Sequence, residues 1–308
     1  MLLKEAVTKS HSTRSDITVL APAKINLVLR ILDHRPDGFH NLWSIMHTVG
    51  LEDELQMSLQ HEREDIQLRC DTADLAADQS NLVYRAAAAV LERMPKPVGL
   101  NIQLRKRIPM GAGLGGGSSD AAATLLGLNR LLQLGWSLAE LAAIGQTLGS
   151  DVPFFLFAPS AVVAGRGETV RPVSMKGAGW VVLVNPGFGV NTKWAYQELA
   201  ATRGPVRHLS EIQRHMDGQP TLTWEQVHAT GENDFEAPVF AAHGDLKDIK
   251  QSLLAHGASL ALLSGSGATV FGLFGDQPMA QRAAAQFARD QKLKVFVVPT
   301  SSGPFIIR

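Results

Sequence analysis

The chain has 308 residues, enough to bury a sizeable core and to form two domains. Lys plus Arg and Asp plus Glu balance at 29 each, so it lacks the electrostatic surplus that a general nucleic-acid or anionic-membrane binder needs. With Cys70 as the only cysteine it can make no internal disulfide; no Cys/His cluster has structural-metal spacing, and no apolar run approaches the roughly 20 residues that span a bilayer.

The opening MLLKEAVTKSHSTRSD has no continuous apolar stretch and reads as a polar leader, not a secretory signal; its shortness and Glu5 argue against a transit peptide. With the lone cysteine, this points to a reducing, cytoplasmic compartment. In ITVLAPAKINLVLRILDHR, Ile25, Leu27, Leu29 and Ile31 alternate with Asn26, Val28, Arg30 and Leu32, a strand pattern that puts Lys24 and Asn26 on one face. RPDG (35–38) is turn chemistry. A second strand is expected to run to Leu51, a third to start at Asp53, and a fourth over IQLRC, where Cys70 reads as packing. NLVYRAAAAVLERM predicts a helix capped by Asn81 or Ser80, and VGLNIQLRKRIP a strand.

That strand enters Pro109, Met110, Gly111, Ala112, Gly113, Leu114, Gly115, Gly116, Gly117, Ser118, Ser119, and a helix is expected from about Ser119. Glycines give positive φ angles and close backbone approach, and successive N–H groups there form an anion nest. A helix start adds free donors and the positive end of a macrodipole. The stretch therefore predicts a phosphate cradle built from main chain. It is not a Walker A loop, because no Gly-Lys-Ser/Thr follows the glycines, and no ribose-binding acid follows at dinucleotide spacing. Asp120, in the expected first turn, is assigned to capping. Ser137 and Glu140 form a capping box for another helix, with Gly149 at its C-terminus.

Beyond residue 172 the order is strand, helix, helix, two strands around SGSG (264–267), helix and strand, a split βαβ arrangement. The expected division is 1–171 and 172–308, both halves α+β.

PMGAGLGGGSSDAA resembles the central motif of the GHMP kinases, and APAKINLVLRI, LGSDVPFFL and LLSGSGATVFGLF resemble further motifs in family order. RPDGFHNLWSIMHTV is similar to a segment specific to one branch, whose members phosphorylate the 2-hydroxyl of a cytidine-diphosphate-bearing methylerythritol in the non-mevalonate isoprenoid pathway. The resemblance implies a two-domain α+β GHMP fold, with a ribosomal protein S5 domain 2-like ATP-binding and catalytic domain followed by a ferredoxin-like one. It implies ATP and Mg²⁺, the metal's ligands left open, and a small-molecule partner with neither nucleic acid nor membrane. Asp151 would be the base and Lys24 its cationic neighbour. Residues 109–119 would hold phosphates, Asn81 and Lys106 would meet adenosine, and Asn26, Phe39 and His40 would bind the cytidylyl substrate. Phe39 stands where many members have Tyr. SGSG would be a second glycine turn near the phosphates. The alternatives are a homoserine- or mevalonate-type kinase and a nucleotide-binding sensor without chemistry.

Overall fold

Two long strands, β1 (Asp16–His34) and β2 (His40–Gln60), form an antiparallel hairpin in the computed structural model, which describes residues 16–35, 37–60, 62–177, 179–202, 208–300 and 305–308. The leader up to Ser15 and Pro36 of the expected turn lie outside these. Where the sequence suggested two strands, β2 is continuous. Pro22 pairs with Glu52 and Ala23 with Val49, so Gly50 and Leu51 bulge and the strand bends without ending. The simple alternation in β1 also fails. A register shift between Asn26 and Val28, with partners packed on both faces, buries Lys24 through Ile31 without a break.

β3 (Ile66–Cys70), α1 (Leu82–Leu91) and β4 (Gly99–Arg105) follow; β3 and β4 are parallel, and α1 is the crossover that parallel pairing requires. α2 (Gly116–Leu131) begins three residues before the expected Ser119, because Gly115 at φ +69° turns the chain into the helix there. Its alanine face lies between the sheet and α1, leaving Ala121, Ala122 and Ala123 fully buried. α3 (Leu138–Leu148) has the expected Ser137–Glu140 capping box, while Gly149 closes it in an extended conformation. α4 (Val152–Phe157), β5 (Ser160–Gly165) and β6 (Thr169–Pro172) complete this half. β2 serves two neighbours, β5 over Leu42–His47 and β4 over Glu54–Gln60.

β7 (Ser174–Met175), β8 (Trp180–Asn185), α5 (Thr192–Thr202), α6 (Glu211–Asp217), β9 (Thr221–Leu222), α7 (Trp224–Thr230), α8 (Glu236–Ala242) and α9 (Gly244–Ala255) come next. β10 (Leu260–Leu263), β11 (Val270–Phe274), α10 (Gln277–Ala285), β12 (Lys294–Pro299) and β13 (Ile306–Ile307) end the chain. The second sheet is antiparallel in the order β10-β11-β8-β12, with α9 against β10 and β11 and α10 against β8 and β12, the ferredoxin-like arrangement. β13 returns to the first sheet and pairs with β1. Among the described residues no helix is long and apolar enough to cross a membrane.

His47 in β2 is buried, its Nδ1 2.7 Å from Ser160 Oγ and its ring edge-on to Trp224. Burial lowers its pKa from 6.5 to about 4. Between those values the unfolded chain binds the extra proton, so this contribution to stability is intact above pH 6.5 and is lost as pH falls toward 4. The full loss is about 3 kcal/mol. Urea midpoints should therefore fall between pH 7 and pH 4.5, and His47→Phe should flatten that dependence.

Candidate active site

The site grows from the middle of β1, beside the bend of the hairpin, where Lys24 and Asn26 project together as expected. Lys24 Nζ donates to Asn26 Oδ1 at 2.5 Å, Asn26 Nδ2 donates to Ser44 Oγ at 2.9 Å, and Ser44 donates to the Val28 carbonyl. All three side chains are buried, and the chain of bonds fixes the ammonium's direction. Asp151, partly exposed at the start of α4, brings Oδ2 to 4.0 Å from Lys24 Nζ. Its side chain makes no capping bond, so the carboxylate is not spent on the helix. Burial lowers the Lys24 pKa, with the Asp151 charge opposing it.

The glycine stretch lies against Lys24, whose N–H donates to the Leu114 carbonyl at 2.9 Å. Ala112 and Leu114 turn into the core while Gly111 and Gly117 face solvent. Among the described residues, none of the six N–H groups from Gly113 to Ser118 reaches a protein acceptor; Ser119 N–H, donating to Gly115 O, is the first. Three of them open α2, where free N–H groups are the rule, and with the three half-buried or buried ones before them they make a candidate anion site. Two other turns close on it. Ser264 Oγ donates to Gly113 O at 2.9 Å, placing SGSG beside the cradle as expected, and the loop at Gly189 touches Gly111. Pro109 is half-buried and Met110 exposed where the chain enters the glycine stretch.

Asp120 does not cap α2. It is buried, with Oδ2 accepting from Lys106 Nζ at 2.7 Å, because the helix starts at Gly116 and carries residue 120 past its first turn. Burial pushes its carboxyl up to about 8, against the pull of Lys106. Burial also lowers the Lys106 pKa, but Asp120 and Asp53 outweigh it and leave the ammonium above its usual value. Asn81 is the cap of α1, accepting from Val83 N–H at 2.9 Å and donating to Ala76 O at 2.7 Å. It remains near the cradle, since Leu82 lies beside Gly117.

His40 stacks on Tyr196 of α5, with ring centres 4.9 Å apart, and Tyr196 stands edge-on to Phe235. Burial and the nearby Asp151 charge push the Tyr196 hydroxyl up to about 12, which ties this aromatic group to the catalytic end. Phe39 is 54% exposed, its ring covered by the Arg166 guanidinium at 5.0 Å. Sequence reasoning missed Tyr196, Arg166 and Asn233, whose Nδ2 donates to Leu263 O and Gly265 O and pins the second glycine turn. No local pattern marks them, because their partners are far away in the chain.

A main-chain anion cradle facing a lysine–carboxylate pair, on this pairing of sheets, defines a class: small-molecule phosphotransferases that grip phosphate without a loop lysine. The sequence model of the GHMP kinases N terminal domain matches residues 81–158, and that of the GHMP kinases C terminal matches 222–292. The 4-diphosphocytidyl-2-C-methyl-D-erythritol kinase of Syntrophus aciditrophicus (strain SB) is 42% identical over 282 residues, 92% of this chain and 98% of that protein. The protein of that name from Geobacter sp. (strain M21) is 42% identical over 89% of this chain and 95% of its own. A crystal structure of 4-(cytidine 5'-diphospho)-2C-methyl-D-erythritol kinase superposes with a TM-score of 0.75 at 33% identity, covering 93% of this chain and 100% of that one. The homoserine kinase of Cytophaga hutchinsonii, at 18% identity and a TM-score of 0.72 over 100% of both chains, shares the fold alone. The chain belongs to the GHMP kinase family, among the 4-diphosphocytidyl-2-C-methyl-D-erythritol kinases.

Proposed function

We propose that this protein transfers a phosphoryl group from ATP to the 2-hydroxyl of 4-diphosphocytidyl-2-C-methyl-D-erythritol, in the cytoplasm and on the route to isoprenoid precursors. The observation that carries the reading is the row of six unbonded N–H groups beside Lys24 and Asp151. Phosphoryl transfer needs mainly positioning and charge neutralisation, and this arrangement offers both.

ATP supplies the phosphoryl group when bound, and Mg²⁺ neutralises its phosphate oxygens. The cradle fits a triphosphate. Among the described residues there is no cluster of three His, Cys, Asp or Glu able to hold a metal by itself. Residues 109–119 bind the phosphates. Asp151 accepts the proton of the substrate hydroxyl. Lys24, held by Asn26, stabilises the charge developing on that oxygen. Asn81 and Lys106 border the adenosine end through backbone and aliphatic stems, their polar ends being committed elsewhere. Asn26 orients the alcohol, and Phe39 and His40, with Tyr196 behind, form an aromatic wall for the cytosine. Residues 1–171 carry ATP binding and catalysis, and 172–308 form the second domain, whose last strand returns to β1.

Tyr196→Ala removes the ring on which His40 stacks and should raise the KM for the cytidylyl substrate roughly two- to tenfold, the scale of one lost aromatic pair of about 0.5–1.5 kcal/mol, leaving the KM for ATP within about twofold. The function itself is tested by ADP release with a panel of alcohols. Turnover of the cytidylyl alcohol supports it. Turnover of homoserine or mevalonate alone overturns it, and binding of both ligands without ADP release favours a sensor.

A further inference from the structure

The cradle needs a rigid foundation, because six unbonded donors must converge on one anion and glycines do little to hold a conformation. Its two feet are Arg107–Ile108, where the chain enters, and Gly116–Asp120, where α2 begins. We infer that Asp53, a fully buried carboxylate on β2, is the anchor of both feet and so a positioning residue for the triphosphate that it never touches.

The first foot is tied directly. Asp53 Oδ1 accepts the N–H groups of Arg107 at 2.5 Å and Ile108 at 2.9 Å. The second is tied through one lysine. Asp53 Oδ2 pairs with Lys106 Nζ, which reaches on to Asp120 Oδ2 at 2.7 Å inside α2. The ammonium lies directly beneath the helix start, since a methyl group added at Gly116 would stand 3.2 Å from Nζ and 3.0 Å from Ile108 Cγ2. The side chains of Asp53, Lys106 and Asp120 are 0%, 6% and 3% exposed, so solvent does little to weaken the bonds. Asp71 holds the same segment from outside by accepting Lys106 N–H. Neither motif matching nor spacing reveals this staple, because Asp53 is 53 residues from Lys106 and sits on another strand. A fold-level role alone would not require one carboxylate to serve both ends of the same loop.

The inference rests on the cradle being the triphosphate site, and its test separates the two. In ligand-free protein, Asp53→Asn should accelerate hydrogen exchange of the amides in 107–120, with the second sheet unchanged. ATP affinity should weaken roughly tenfold or more, the loss expected of one charge-assisted bond, while the KM for the cytidylyl substrate stays within about twofold. Asp120→Asn, which cuts only the helix foot, should give the same pattern in weaker form and serves if Asp53→Asn does not fold. Unchanged exchange in 107–120, or wild-type ATP affinity in Asp53→Asn, overturns the staple. A wild-type protein that fails to bind ATP overturns the phosphate assignment instead, and the exchange result on the ligand-free protein still decides the staple.

Discussion

Asp151→Ala should lower turnover by roughly two orders of magnitude or more, the scale of losing a positioned acid–base group, and leave ATP binding within about twofold of wild type. The two effects separate because of where the carboxylate stands. It sits at the start of α4 without a capping bond and is partly exposed, so its removal takes away the counter-charge of Lys24 at 4.0 Å but breaks no cap of the helix. Among the described residues its one ionic partner is Lys24, whose hydrogen bond to Asn26 Oδ1 survives the change. The groups proposed to hold phosphate are main-chain N–H groups at 113–118, and the substitution leaves them untouched. Single-turnover rates with saturating ATP, beside nucleotide affinity measured by calorimetry, check both halves. A rate within tenfold of wild type removes Asp151 from the chemistry.

What could be read from the sequence was what short spacing encodes. The Ser137–Glu140 box lies within one helical turn, and the glycine run announces its own backbone behaviour. Period two put Lys24 beside Asn26. Motif order then supplied Asp151, which lies more than a hundred residues from its partner and which composition alone could not have paired with it. The misreadings share a cause. Asp120 looked like a first-turn acid only while the helix was taken to start at Ser119, and one glycine at positive φ moved that start by three residues. Lys106, flanked by Arg105 and Arg107, gave no sign that its ammonium turns inward while its neighbours stay exposed. Tyr196 depends on a contact between the two halves and Asn233 on carbonyls of a distant turn, and no local pattern carries that information.

Another contact between the halves makes Gly113→Ala the most damaging small substitution in the cradle. Gly113 sits at φ +77°, which costs an alanine about 1–2 kcal/mol before any contact is considered. Its new methyl would lie 2.0 Å from the Ser264 carbonyl oxygen, an atom that cannot retreat. Ser264 Oγ is bonded back to Gly113 O, and Asn233 pins the carbonyls on either side, at Leu263 and Gly265. Either the SGSG turn moves with its whole support or the cradle deforms, so overpacking of about 1–3 kcal/mol adds to the conformational cost. Gly135 supplies the control, since it has φ +69° with nothing within 4 Å of an added methyl. Gly135→Ala should lose only the conformational part and keep wild-type ATP affinity. Gly113→Ala should lose about 2–5 kcal/mol in urea unfolding and bind ATP at least roughly a hundredfold more weakly, because displaced amides no longer converge on one anion. Equal ATP affinity in the two variants would mean that the second glycine turn does not shape the phosphate site.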